Sequence, residues 1–128
     1  MTVESFVNSF IARSRMERLL FELSSPAMRS DGLERFCHHA EDLVESSKIR
    51  LEGQDLEFRP DFRDFVKRHS GKCLLISPDP NLDNLELPLE KAVESAAMGC
   101  DAAIIIGIDF AIVFGEAEKG GRAKFLMY

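Results

Sequence analysis

At 128 residues the chain is long enough for one hydrophobic core and too short for two. Its 45% hydrophobic and 30% charged residues are those of a folded globular chain, which sets disorder aside. The net charge of −6 argues against nucleic-acid or anionic-membrane binding, because both need clustered Lys and Arg, and Arg13, Arg15 and Arg18 are interrupted by Glu17.

The three cysteines, Cys37, Cys73 and Cys100, are widely spaced and odd in number, so neither a disulfide framework nor a zinc knuckle is expected. The first residues carry Glu4 and lack the basic-then-apolar pattern of a secretory signal. The longest apolar run, Ala102 to Ile106, is too short to span a bilayer. A cytoplasmic location is the expectation.

Thr2 is a candidate N-cap for a helix whose apolar positions are Val3, Phe6, Val7, Phe10 and Ile11. The stripe blurs over 12–15 and returns at Met16, Leu19, Leu20 and Leu23, so one long helix or two short ones both fit. Ser24-Ser25-Pro26 ends it. Asp31 and Glu34 form a capping box for a second helix, with Leu33, Phe36, Cys37, Ala40, Leu43 and Val44 on one face. Its other face carries Glu34, Glu41, Asp42 and Glu45. Residues 31–60 hold eight acidic and four basic side chains, which gives either a solvated face or an acidic docking surface.

Ile49 and Leu51, then Leu56 and Phe58, alternate around Glu52-Gly53-Gln54-Asp55 and predict a short hairpin. Pro60-Asp61 opens a helix carrying Phe62, Phe65, Val66 and His69, closed at Ser70-Gly71. Cys73 to Ile76 is a two-sided apolar strand. After a Pro/Asp/Asn loop, Pro88 starts a helix with Leu89, Ala92, Val93, Ala96 and Ala97, ended by Gly99. Ala102 to Ile106 is a second buried strand. The succession predicts a βαβ unit at 73–106, with the two strands parallel neighbours. Phe110 to Phe114 and Lys124 to Tyr128 flank a Gly- and Glu-rich turn and predict a C-terminal antiparallel hairpin at the sheet edge. Residues 107–109 fit a tight turn or a bend in one long strand. The expected fold is therefore a single α/β (or α+β) domain over 1–128, with a mixed sheet and two N-terminal helices packed on it.

The most specific motif runs from Asp79 to Glu90. Asp79, Asn81, Asp83 and Glu90 stand at the first, third, fifth and twelfth positions, a spacing that resembles an EF-hand calcium loop. A hard cation, Ca²⁺ or Mg²⁺, needs such alternating oxygens. Asn84 replaces the usual glycine at the sixth position, Glu86 the usual apolar eighth, and a strand precedes the loop. The alternative reading is a turn in which Asp83 or Asn84 caps. Ligands of open parallel sheets bind beyond the strand ends, which places this loop, with Asp109 beside it, at the expected functional rim.

Other groupings weaken on inspection. Asp109, Glu116, Glu118 and Lys119 suggest metal-assisted phosphodiester cleavage, but three of them belong to a glycine-bounded turn. Cys37-His38-His39 cannot converge on one ion from a helix, where successive residues point about 100° apart. Cys–His catalysis would need His69 or another partner to approach a thiol. There is no phosphate-cradling loop, and Ser77 lacks a nucleophile elbow. No catalytic residue is identified.

Two functions remain. One is a protein-binding or regulatory module without catalysis, a homodimer or a partner of another protein, using the edge strand Phe125 to Tyr128 for strand addition. The other is a divalent-metal-dependent enzyme or ligand-binding protein built on the Asp79–Glu90 loop.

Overall fold

A computed structural model of the chain describes residues 2–99, 101–116 and 122–128. The Thr2–Ser5 capping box opens α1 (Val3–Phe10), and the extended conformation at Ile11 closes it. A separate helix, α2 (Arg13–Ser24), follows, so the N-terminal stripe is two helices. The predicted second helix is also split, into α3 (Arg29–His38) and α4 (Ala40–Leu43), at the non-helical backbone of His39. The bridge between Ile11 and Val44 ties the end of α1 to the end of α4.

β1 (Ile49–Glu52) leads into a 3₁₀ turn over Leu56–Phe58 rather than a returning strand. The predicted hairpin at 49–58 is therefore replaced by a long-range pairing, in which β1 lies antiparallel to β6 (Lys124–Met127). α5 (Pro60–Arg68) has its proline in the first turn and buries Phe62 and Phe65. After it come β2 (Lys72–Ile76), β3 (Glu86–Pro88), α6 (Leu89–Met98), β4 (Ala103–Ile106), β5 (Ala111–Phe114) and β6.

The described residues form a six-stranded sheet in the order β1-β6-β5-β4-β2-β3. Every neighbouring pair is antiparallel, so the expected mixed sheet is an antiparallel one. The α/β class and the C-terminal hairpin, β5–β6, stand, whereas the parallel pairing of 73–76 with 103–106 does not. Leu74 pairs with Ile106 and Ile76 with Ile104, which sets β2 and β4 antiparallel. The reason is β3. Its three residues turn back along β2 before α6 begins, so the helix starts at the opposite end of the sheet. Both β3 and β4 run opposite to β2 and hence parallel to each other. The βαβ unit within 73–106 is thus β3–α6–β4, split by β2 between its strands.

The strands read as unbroken apolar runs because both faces are covered. Ile104, Ile106, Ala111, Val113, Phe125 and Met127 pack in one core with Phe6, Phe10, Leu23 and Phe36 of α1–α3. Ala103, Ile105, Ile112, Phe114 and Leu126 pack in the other with Phe62, Phe65, Leu89 and Ala92 of α5 and α6. Phe6 meets Phe36 edge to face at 5.8 Å. Residues 107–110 are a tight turn, closed by the Gly107 N–H on the Phe110 carbonyl at 2.9 Å. β6 lies between β1 and β5, so the strand expected at the edge is internal and has no free backbone for strand addition.

Candidate interaction surface

α5 and α6 cover one face of the sheet and leave a groove between them. Two N-terminal features fix α5: the Phe62 N–H donates to the Asp61 carboxylate at 3.0 Å, and Arg59 donates to the same carboxylate at 3.0 Å. Lys67 and Arg68 in its last turn complement the helix dipole. The carbonyls that end α6 are taken by one buried side chain. Arg122 donates to Ala96 at 3.0 Å, Gly99 at 2.9 Å, Asp101 at 2.8 Å and, from the other side, Gly115 at 2.8 Å.

The groove holds about 510 Å³, and its floor is formed by Phe62, Val66, Val93 and Ala97. At its rim stand Phe58, 72% exposed, and Met98, 79% exposed. Both line the same groove, and burying a side chain of this size is worth about 1.5–3 kcal/mol. Phe58 is held there by structure. Lys124 Nζ donates to both oxygens of Glu57, at 2.9 and 3.0 Å, and to the Gln54 carbonyl at 2.7 Å, pinning the 3₁₀ turn to β6. The two walls carry opposite charge. Arg63 and Lys67 line the α5 side; Glu90 and Glu94 line the α6 side.

The aspartate-rich loop does not gather its oxygens. Asp83 is engaged by Arg29, and its Oδ1 also accepts the Ser77 N–H at 3.1 Å. Asp79 accepts the Asn81 N–H at 2.9 Å, the turn-forming role of an aspartate at a loop start. Glu90 opens α6 and lines the groove, across the sheet from the α3 end where Arg29 holds Asp83. Among the described residues no group of three or more His, Cys, Asp or Glu side chains is placed to hold a metal ion. With β2 and β4 antiparallel, the loop also loses the parallel-strand rim on which its functional reading rested. Asn84 does occupy the left-handed region, at φ 62°, where the EF-hand pattern places glycine.

The remaining sequence candidates separate. Asp109 sits in the turn before β5 and Glu116 beyond its other end, while Glu118, Lys119, Gly120 and Gly121 lie outside the described residues, as does Cys100. Cys37, His38 and His39 line a cavity of about 270 Å³ with Glu116. His38 Nε2 lies 3.2 Å from the Glu116 carboxylate. Burial, reinforced by the charges of Glu116, Glu34 and Asp101, pushes the Cys37 thiol up to about 12, which makes it a poor nucleophile. His69 and Cys73 border a cavity of about 240 Å³. No hydrogen bond joins them: His69 Nδ1 is 2.8 Å from the Phe65 carbonyl, and burial pushes the Cys73 thiol up to about 11. Glu34, Glu41 and Asp42 are exposed, as a solvated helix face requires.

The rim residues of the groove were not visible as such in the sequence. Phe58 read as a strand position, and Met98 lay outside the apolar stripe Leu89, Ala92, Val93, Ala96 and Ala97. Spacing does not flag them, since Phe62, Phe65 and Val66, at i, i+3 and i+4, form one ordinary core-facing stripe of α5. No described helix is long and apolar enough to cross a membrane. Comparison with protein-family models, curated proteins and solved structures finds no match.

Proposed function

We propose that the chain is a protein-binding module that acts without catalysis, and that its docking face is the α5–α6 groove, filled by a second copy of the chain. The observation that carries this is the groove's pairing of two exposed apolar side chains, Phe58 and Met98, with one basic and one acidic wall. Such a pattern complements itself. A two-fold axis parallel to the groove sets the Arg63/Lys67 wall of one copy over the Glu90/Glu94 wall of the other, twice. An axis across the groove would oppose like charges. The charges therefore select one register, and the apolar floor and rim supply the affinity.

The metal-dependent alternative, with Ca²⁺ or Mg²⁺ on Asp79, Asn81, Asp83 and Glu90, has no comparable support, because Asp83 already has a cationic partner. Sedimentation velocity on the full chain tests the dimer. Wild type is expected to associate at micromolar concentration, and Phe58→Glu with Met98→Glu to sediment as a monomer with an unchanged circular-dichroism spectrum. A wild-type chain that stays monomeric into the high micromolar range refutes the reading.

A further inference from the structure

A chain of net charge −6 gathers three guanidinium groups at one cleft. The cleft lies between the first half of α2 and the break between α3 and α4. It holds about 380 Å³ and is lined by Arg15, Arg18, Arg35 and His39, with Asp42 as its one acidic wall residue. Its backbone frame is pinned on both sides. The Ala12 N–H donates to the Leu43 carbonyl at 2.8 Å, and the Glu45 N–H donates to the Phe10 carbonyl at 2.7 Å.

Beneath the cleft lies Glu22, only 3% exposed. Its Oε1 accepts from Arg18 Nε at 2.9 Å, and its Oε2 pairs with Arg35. A single buried carboxylate thus faces two guanidinium groups, neutralises one charge and orients both forks. Each fork has five N–H donors, so most remain for another acceptor. The Arg15 side chain makes no hydrogen bond or ion pair among the described residues. Three forks offer more donors than two carboxylate oxygens accept, whereas the terminal oxygens of a phosphate group match them.

We infer that this cleft binds a phosphate group, with Arg15 as a direct ligand and Arg18 and Arg35 pre-oriented by Glu22. It is a pocket for one anion, not a track for a polyanion. The same chemistry serves free phosphate or a phosphomonoester.

The test is an NMR titration of the full chain with inorganic phosphate and, separately, phenyl phosphate, at ionic strength held constant with chloride. Saturable shifts at the arginine Nε–H signals and at His39 are expected. Arg15→Gln should weaken binding about tenfold, as the loss of a charge-assisted contact requires. Arg13→Gln removes the same charge from an exposed neighbour that does not line the cleft, and should bind as wild type. Tighter binding of phenyl phosphate assigns the cleft to phosphomonoesters; equal or weaker binding assigns it to free phosphate. The inference is overturned if neither probe saturates, if Arg15→Gln binds unchanged, or if Arg13→Gln weakens binding as much.

Discussion

Arg29 and Asp83, 54 residues apart in sequence, join the start of α3 to the loop between β2 and β3 through both carboxylate oxygens. Arg29 Nη2 donates to Oδ1 at 2.9 Å, and Nη1 takes Oδ2. The same Arg29 fork reaches Asn84 Oδ1 at 3.3 Å. The loop that looks like a cation site in the sequence carries its own cation. Asp83→Asn should therefore lower stability by about 1–3 kcal/mol, read as the urea midpoint, because it leaves a partly buried guanidinium under-satisfied. Millimolar Ca²⁺ or Mg²⁺ should leave the wild-type melting temperature unchanged. A rise on adding either ion would restore the metal reading.

The helices and the apolar strands were legible in the sequence because their signals are local. Leu89, Ala92 and Ala96 mark the buried side of α6 by spacing alone, and Ala103 to Ile106 marks a strand covered on both faces. Topology was not local. Three residues, Glu86 to Pro88, reverse the expected strand direction, and they sit inside what reads as a turn-rich loop. The pairing of β1 with β6 brings together residues 73 apart, Glu52 and Phe125, and no short-range pattern encodes it. The phosphate cleft was hidden for the same reason, since Arg35 meets Arg15 and Arg18 only after α3 folds back along α2.

Gly107 is constrained by space. A Cβ there would lie 2.3 Å from the Phe110 ring. That ring is packed edge-on to Phe65 at 5.0 Å, and Phe65 stacks on His69 at 4.0 Å. Phe110 cannot move without disturbing both. Gly107→Ala should cost about 1–3 kcal/mol as overpacking. Adding Phe110→Leu should recover part of that loss, measured as a non-additive double-mutant cycle.

Arg122 should be the most sensitive polar side chain of the second core. It is 8% exposed and supplies donors to carbonyls at the end of α6 and beside β5, with its guanidinium 5.5 Å from the Phe114 ring centre. Arg122→Met should destabilise by about 3 kcal/mol or more, since several carbonyls lose their donor at once. Arg122→Lys should recover little, because an ammonium group cannot reach both sides. Thermal melts of the three proteins check the order.

Both described thiols should be silent in the native state. Cys37 is raised from 9.0 to about 12, and Cys73 from 9.0 to about 11, in each case first by burial. The folded state holds these protons more tightly than the unfolded one. Stability is therefore unaffected by them below about pH 9 and falls as pH rises through the window to about 12. Cys37→Ala should flatten that alkaline fall. Mass mapping after alkylation near neutral pH should find Cys37 and Cys73 unmodified in folded protein and modified in urea.

The two-fold contact between α5–α6 faces is tested most directly by splitting its charges between two chains. Arg63→Glu with Lys67→Glu makes both walls acidic, and Glu90→Lys with Glu94→Lys makes both basic. Each double variant alone should sediment as a monomer, and an equimolar mixture should form a heterodimer as opposite walls meet again. If either variant dimerises alone as wild type does, or if the mixture stays monomeric, the α5–α6 face is not where two copies meet.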